Sequence, residues 1–228
     1  MKKRLALLLA VVTLLLAVVT LLVTACVKAK AMSLHDPVRN DDLRALQQML
    51  AAPSAKSLLD ARDERGRTPL LLATELNRVP LARELILAGA DVNAKDDKQD
   101  SPYLYAGAEG RREILELTLA HGADLKSTNR YGGTALIPAA ERGHVEVVRT
   151  LIAAGVKVDH VNRLGWTALL EAILLSDGGK AHQEIVRMLI AAGADVNLPD
   201  RDGVAPLAHA ERRGYTAIAA MLRDAGAR

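Results

Sequence analysis

The feature that most restricts this chain is a spacing. Gly66-Arg67-Thr68-Pro69-Leu70, Gln99-Asp100-Ser101-Pro102-Tyr103, Gly132-Gly133-Thr134-Ala135-Leu136 and Gly165-Trp166-Thr167-Ala168-Leu169 follow one another at intervals of 33 residues. A fifth copy, Gly203-Val204-Ala205-Pro206-Leu207, comes 38 residues after the fourth, which leaves a five-residue insertion between them. A second phrase keeps step: Ala88-Gly89-Ala90-Asp91-Val92-Asn93, His121-Gly122-Ala123-Asp124-Leu125, Ala154-Gly155-Val156-Lys157-Val158-Asp159 and Ala192-Gly193-Ala194-Asp195-Val196-Asn197. A unit this small cannot bury its own apolar face, so a fixed period of this length demands that neighbouring units stack into one continuous solenoid.

Each unit reads as two short amphipathic helices, most clearly over residues 136–159. The Thr68 hydroxyl can cap a helix, and Pro69 stands at the first helical position, where no N–H is needed. Gly89, Gly122, Gly155 and Gly193 close the second helices, where a left-handed residue is wanted. The expected fold is all-α.

The Thr-Pro-Leu phrase at this period resembles the ankyrin-repeat family from residue 34 to the C terminus. The resemblance implies a solenoid of about six helix-turn-helix repeats, at about 34–62, 63–95, 96–128, 129–161, 162–199 and 200–228. The first is degenerate: Asp41 or Asp42 caps a helix carrying Leu43, Leu46, Met49 and Leu50, while Pro37 and Pro53 break the pattern. Asn77-Arg78 stands where Gly-His is usual. Gln99 replaces a turn glycine, and Tyr103 and Tyr105 replace Leu-like positions. Pro138 lies close enough to a helix start to be tolerated, with a kink. The insertion, around Asp177-Gly178-Gly179, is expected between the two helices of the fifth repeat. Arg212, Arg213 and Arg223 give the closing repeat a polar outer side.

The N-terminal segment is of a different kind. Met1-Lys2-Lys3-Arg4 precedes 23 uncharged residues at positions 5–27, long enough to span a bilayer and also suited to a secretory signal. Val23-Thr24-Ala25-Cys26 looks like a bacterial lipobox, which implies a signal peptide over residues 1–25, lipidation of Cys26, a linker over 26–33 and an exported domain over 34–228. Val27 rather than Asp after the cysteine implies the outer membrane, facing the periplasm. Two other readings stay open: cleavage after Ala29-Lys30-Ala31, giving a soluble periplasmic or secreted protein starting at Met32, or an uncleaved anchor.

The chain carries 30 Lys and Arg against 27 Asp and Glu, and without Lys2, Lys3 and Arg4 the two signs are equal. The pI of 9.1 therefore belongs to the N-terminal segment, and no basic field points to nucleic acid. With one cysteine, no disulfide forms within the chain. Aromatics make up 2% and Phe is absent, so the core is Leu, Ala, Ile and Val. His35, His121, His144, His160, His182 and His209 form no His-x-x-x-His or His-Glu-x-x-His pattern, and read as structural. No catalytic set, metal site or cofactor loop is expected, since Gly132-Gly133 and Gly178-Gly179 lack the rest of a phosphate-binding motif.

The family resemblance implies a concave surface made of loop fingertips and the exposed face of the first helices. It maps onto Arg65, Arg67 and Glu75; Asp100, Tyr105 and Glu109; Arg130, Tyr131, Glu141 and Arg142; Arg163, Leu164, Trp166 and Glu171; and Arg201 and Asp202. Trp166 stands at a position usually exposed, and Arg130, Tyr131, Arg163 and Trp166 are expected to cluster as the kind of residues that anchor interfaces. Glu171 occupies a position where Leu is common, and could pair with Arg130 or Arg163 or hold a ligand's cationic group. The expected function is a monomeric, non-catalytic scaffold of the bacterial envelope that binds another protein. The alternative is a small-ligand or anion receptor using Trp166, Glu171 and residues 177–180, whose glycine amides could lie free at a helix N-terminus.

Overall fold

The computed structural model describes residues 33–228. The apolar run, the lipobox with Cys26 and the alternative cleavage site after Ala31 lie outside the described residues. Twelve α-helices follow in pairs among the described residues: α1 His35–Arg39 and α2 Leu43–Leu50, α3 Pro69–Glu75 and α4 Val79–Leu87, α5 Pro102–Ala108 and α6 Arg112–Ala120, α7 Leu136–Glu141 and α8 Val145–Ala153, α9 Ala168–Leu174 and α10 Lys180–Ala191, α11 Pro206–Arg212 and α12 Thr216–Asp224. A single 3₁₀ turn, Ala55–Ser57, links the first pair to the second. There is no strand among the described residues, and no helix there is long and apolar enough to cross a membrane.

The first helices of three pairs begin identically. Thr68 Oγ1 accepts the Leu71 N–H at 3.1 Å, Ser101 Oγ that of Leu104 at 3.2 Å, and Thr167 Oγ1 that of Leu170 at 3.2 Å. Each hydroxyl satisfies a donor that the helix itself cannot. In the first pair it is the second helix, α2, that has a side-chain cap: Asp42 accepts the Ala45 N–H at 2.9 Å.

The fourth pair departs from this start, for a covalent reason. Pro138 has no N–H to return to the Thr134 carbonyl, which takes the Ile137 N–H at 3.2 Å instead. That tightens the first turn toward 3₁₀ geometry. Helix α7 then begins at Leu136 and is six residues long, and the buried Thr134 hydroxyl is left without a partner among the described residues. Pro138 thus shortens the helix start.

First helices pack on first helices and second on second, as far as the last pair. Buried Thr118 takes one place in the third repeat where the second helices of the second, fourth, fifth and closing repeats bury a fully covered leucine (Leu85, Leu151, Leu189, Leu222). Each leucine is worth about 2–3 kcal/mol of burial. One turn residue pays in backbone strain: Gln99 holds φ +65°, in the slot where Gly66, Gly132 and Gly165 hold +73°, +72° and +86°.

The insertion does not stay in the loop. Helix α10 has 12 residues where α4, α6, α8 and α12 have nine, so part of the extra sequence lengthens the second helix. The remainder is clasped by the closing pair. The Tyr215 hydroxyl donates to the Ser176 carbonyl at 2.6 Å, and the Tyr215 ring lies against Gly178, where a Cβ would stand 2.6 Å from it.

Candidate functional site

One loop frame recurs and positions the side chains of interest. At residues 63, 96, 129, 162 and 200 stands an Asp or Asn whose Oδ1 accepts two backbone N–H groups, two and four residues on; Asn162, for example, accepts from Leu164 at 2.9 Å and Trp166 at 3.0 Å. This pins the turn and leaves the rest of the Asp or Asn side chain pointing along the first helix. Nine residues later that helix presents Leu72, Tyr105, Pro138, Glu171 or His209. The frame is constant while this facing position varies.

In the closing repeat the facing position is His209, whose Nε2–H donates to Asp200 Oδ2 at 2.7 Å. In the fifth it is Glu171, and Asn162 Nδ2 donates to Glu171 Oε1 at 2.7 Å. Glu171 is 5% exposed. Burial, then the negative charge of Glu141, push its carboxyl up to about 7, against the hydrogen bond from Asn162 that favours the ionised form. In the second repeat Leu72 faces an aspartate, and Arg67 supplies the partner: Nε and Nη2 donate to Asp63 Oδ2 at 3.0 and 2.7 Å, while Nη1 pairs with Glu75.

Three of the facing residues, Tyr105, Pro138 and Glu171, line a groove of about 490 Å³ along the first helices of the second to fifth repeats; Leu72 and His209 do not. Among the residues named from sequence, Glu75, Asp100, Tyr105, Glu109, Arg130, Tyr131, Glu141, Arg142, Leu164 and Glu171 line it. Its acids are sorted by partner. Glu75 is paired with Arg67, Asp100 with Arg130 at 3.2 Å, and Glu109 with Arg142. Glu141 and Glu171 have no cationic partner among the described residues. Tyr131, Leu164 and Leu175 stand in the wall about half exposed.

Several expectations need correction. Trp166 is half-buried and does not line the groove; the contacts seen in the expected cluster join Arg130, Tyr131 and Arg163. The Arg130 guanidinium lies 4.8 Å from the Tyr131 ring centroid, and Arg163 Nη1 donates to the Arg130 carbonyl at 3.0 Å. Arg163 is thereby a clip between neighbouring fingertips outside the groove. Arg67 is 9% exposed and its donors are consumed by Asp63 and Glu75, which leaves it no free face for a partner. Arg65 is exposed at its fingertip, away from the groove, as are Arg201 and Asp202. Glu171 pairs with neither Arg130 nor Arg163; its partner is Asn162. The amides of Gly178 and Gly179 are not free, because Ser176 Oγ and Asp177 Oδ1 accept from them at 3.2 and 2.8 Å. A carboxylate already sits where the anion was expected.

The histidines serve as connectors. His35 and His182 each donate through Nε2 to a backbone carbonyl in a neighbouring repeat (Arg67 and Glu141) at 2.8 and 2.9 Å, and His160 donates to the Gly132 carbonyl of its own repeat at 2.7 Å. His144 lies over Gly110, where a Cβ would stand 2.8 Å from its ring. His121 bonds the Leu117 carbonyl at 2.8 Å. Among the described residues no group of three or more His, Cys, Asp or Glu is placed to hold a metal ion.

Comparison with known proteins places this arrangement. A family profile described as ankyrin repeats (3 copies) matches residues 34–129 and 103–200. The chain is 62% identical to an ankyrin repeat domain from Acinetobacter baumannii AYE, covering 86% of this chain and 98% of that one with a TM-score of 0.83. It is 40% identical to the ankyrin repeat protein EF0377, covering 84% and 96% with a TM-score of 0.79. The ankyrin repeat domain of Bcl-3, a member of the IkappaB protein family, matches at 26% identity over 87% and 88% with a TM-score of 0.78. Mouse inversin is 43% identical over 63 residues, 28% of this chain, and the match spans only 6% of inversin's length.

Proposed function

The chain belongs to the ankyrin-repeat family, and from that premise we propose that it is a non-catalytic scaffold that binds another protein through the groove on its first helices. Ankyrin repeat domains are generally protein–protein interaction scaffolds. The observation that carries the reading is the groove itself, a wall of half-exposed Tyr131, Leu164 and Leu175 set among charged side chains. Interfaces favour this mixture of aromatic, apolar and arginine contacts with a polar rim.

The test is site-specific photocrosslinking in the source cell, with a benzophenone amino acid at Tyr131 in the groove and, in a separate strain, at Arg187 on α10. Protein adducts at Tyr131 and none at Arg187 are the expected result. Adducts only at Arg187 move the interface to the outer helices, and adducts at neither position sink the scaffold reading.

We also propose that the domain is held at the outer membrane, facing the periplasm, by a lipid on Cys26. Support comes from the basic start, the apolar run and Val23-Thr24-Ala25-Cys26. Intact mass and membrane fractionation of the native chain and Cys26→Ala decide it. A lipid-sized mass increment and membrane association, both lost in the variant, are expected; an unlipidated native chain starting at Met32, or an uncleaved one, rejects the lipid anchor.

A further inference from the structure

The groove reading can be taken one step further, to the chemistry of the occupant, and the step rests on that reading. The groove's acids differ in what neutralises them. Arg67, Arg130 and Arg142 serve Glu75, Asp100 and Glu109. No arginine or lysine among the described residues serves Glu141 or Glu171, so the carboxyl groups without a cationic partner collect at one end.

Glu171 makes that end more than an acidic surface patch. Its side chain is 5% exposed and lines the groove. Oε1 accepts from Asn162 at 2.7 Å, while Oε2 has no hydrogen-bond donor among the described residues. A carboxylate can accept about four hydrogen bonds, so a buried one served by a single neutral donor is left short. Leucine at the same place in the second repeat shows that the fold itself does not require an acid there.

We infer that the Glu141–Glu171 end of the groove receives a cationic side chain, a lysine or arginine carried by the bound protein segment. Its charged head reaches Oε2 of Glu171 and the carboxylate of Glu141, and its methylene stem runs along Leu164 and Leu175. Long cationic side chains bury their stems on apolar surface in this way. Charge-assisted hydrogen bonds to these carboxylates also supply the specificity that the apolar wall lacks.

The experiment uses the full chain, immobilised, and four hexapeptide pools randomised around a fixed central Lys, Arg, norleucine or Glu. The Lys and Arg pools are expected to be retained on the order of tenfold more strongly than the norleucine pool, with the Glu pool weakest. In the Glu141→Gln/Glu171→Gln variant, whose folding is verified by its melting curve, that preference disappears. Glu113→Gln on the outer helix α6 keeps it. Equal retention of the norleucine pool overturns the cation assignment and leaves the groove as a protein-binding surface. A cation preference that survives in the double variant places the cation elsewhere and overturns it too. If no pool is retained the inference falls, and crosslinking at Tyr131 decides the scaffold reading separately.

Discussion

The second and fifth repeats share a loop frame and differ in what they do with a carboxylate. In both, an Asx side chain accepts the N–H groups two and four residues on. In the second repeat the buried acid is Asp63. Burial alone would raise it, but the guanidinium of Arg67 and the amides of Arg65 and Arg67 outweigh that and hold it down to about 2. In the fifth repeat Asn162 takes the frame position and the acid has moved to the facing helix, as Glu171, where burial wins and its carboxyl rises to about 7. The frame needs only an oxygen that accepts two amides. Once that is met, charge can be distributed for another purpose.

The largest way to break the comparison is Arg67→Ala. It strands Asp63 with its side chain 8% exposed and removes the partner of Glu75. Breaking a buried pair from one side costs about 4 kcal/mol, read as a fall in the urea midpoint. Because the folded pKa of Asp63 is depressed, its contribution is present above pH about 3.8 and fades as pH falls toward 2. The loss in Arg67→Ala should therefore shrink over that range. A pH-independent loss would mean that the arginine acts through packing.

Glu171→Gln should do the opposite. A carboxyl raised from 4.5 to about 7 stabilises the fold only while protonated, so that contribution is full below pH 4.5 and is lost as pH rises through 7. Glutamine keeps the acceptor for Asn162 and has nothing to ionise. Near pH 8 the variant should be more stable than the native chain by about 3 kcal/mol, and near pH 5 by less than about 1. Denaturant melts at the two pH values measure this, and equal stability at both would place Glu171 in a wetter site than its burial indicates. If the groove binds a cation as inferred, the gain comes at the expense of binding, as expected where stability has been given up for function.

What the sequence made legible divides along the same line. The helix pairs, the hydroxyl cap at Thr68 and the ankyrin fold could be read because each rests on residues a few positions apart, within a repeated phrase. The chemistry of the groove could not. Asn162 and Glu171 are nine residues apart and meet only after the loop folds back on the helix. Arg67 and Trp166 occupy equivalent positions yet differ in environment, because what surrounds each depends on the acids nearby. One clue was present: the residue nine after each Asx runs Leu72, Tyr105, Pro138, Glu171, His209, and the two ionisable members that can pair at short reach are the ones that meet Asn162 and Asp200. The half-burial of Trp166, by contrast, has no counterpart in the spacing.

The third repeat, between the two, sharpens the contrast with smaller effects, because its departures carry local costs. Tyr103 stands where the second and fifth repeats have Leu70 and Leu169, fully buried, with a hydroxyl that has no partner among the described residues. Tyr103→Phe removes that unsatisfied group and should stabilise by about 1 kcal/mol; destabilisation would reveal a partner for the hydroxyl, such as bound water.

Gln99 is the last and smallest case. The turn needs a left-handed residue, which costs a side-chain-bearing residue about 1–2 kcal/mol, and the second and fifth repeats avoid that cost with Gly66 and Gly165. Gln99→Gly removes the strain but frees the unfolded chain, which returns roughly 0.5–1 kcal/mol. The net gain is then about 0.5 kcal/mol, a small upward shift in the denaturation midpoint with an unchanged slope. A loss would show that the Gln99 side chain holds the fingertip where Arg130 crosses to Asp100. In that event the third repeat would resemble the fifth more than the second: a place where the frame accepts a local cost to set the groove's charges.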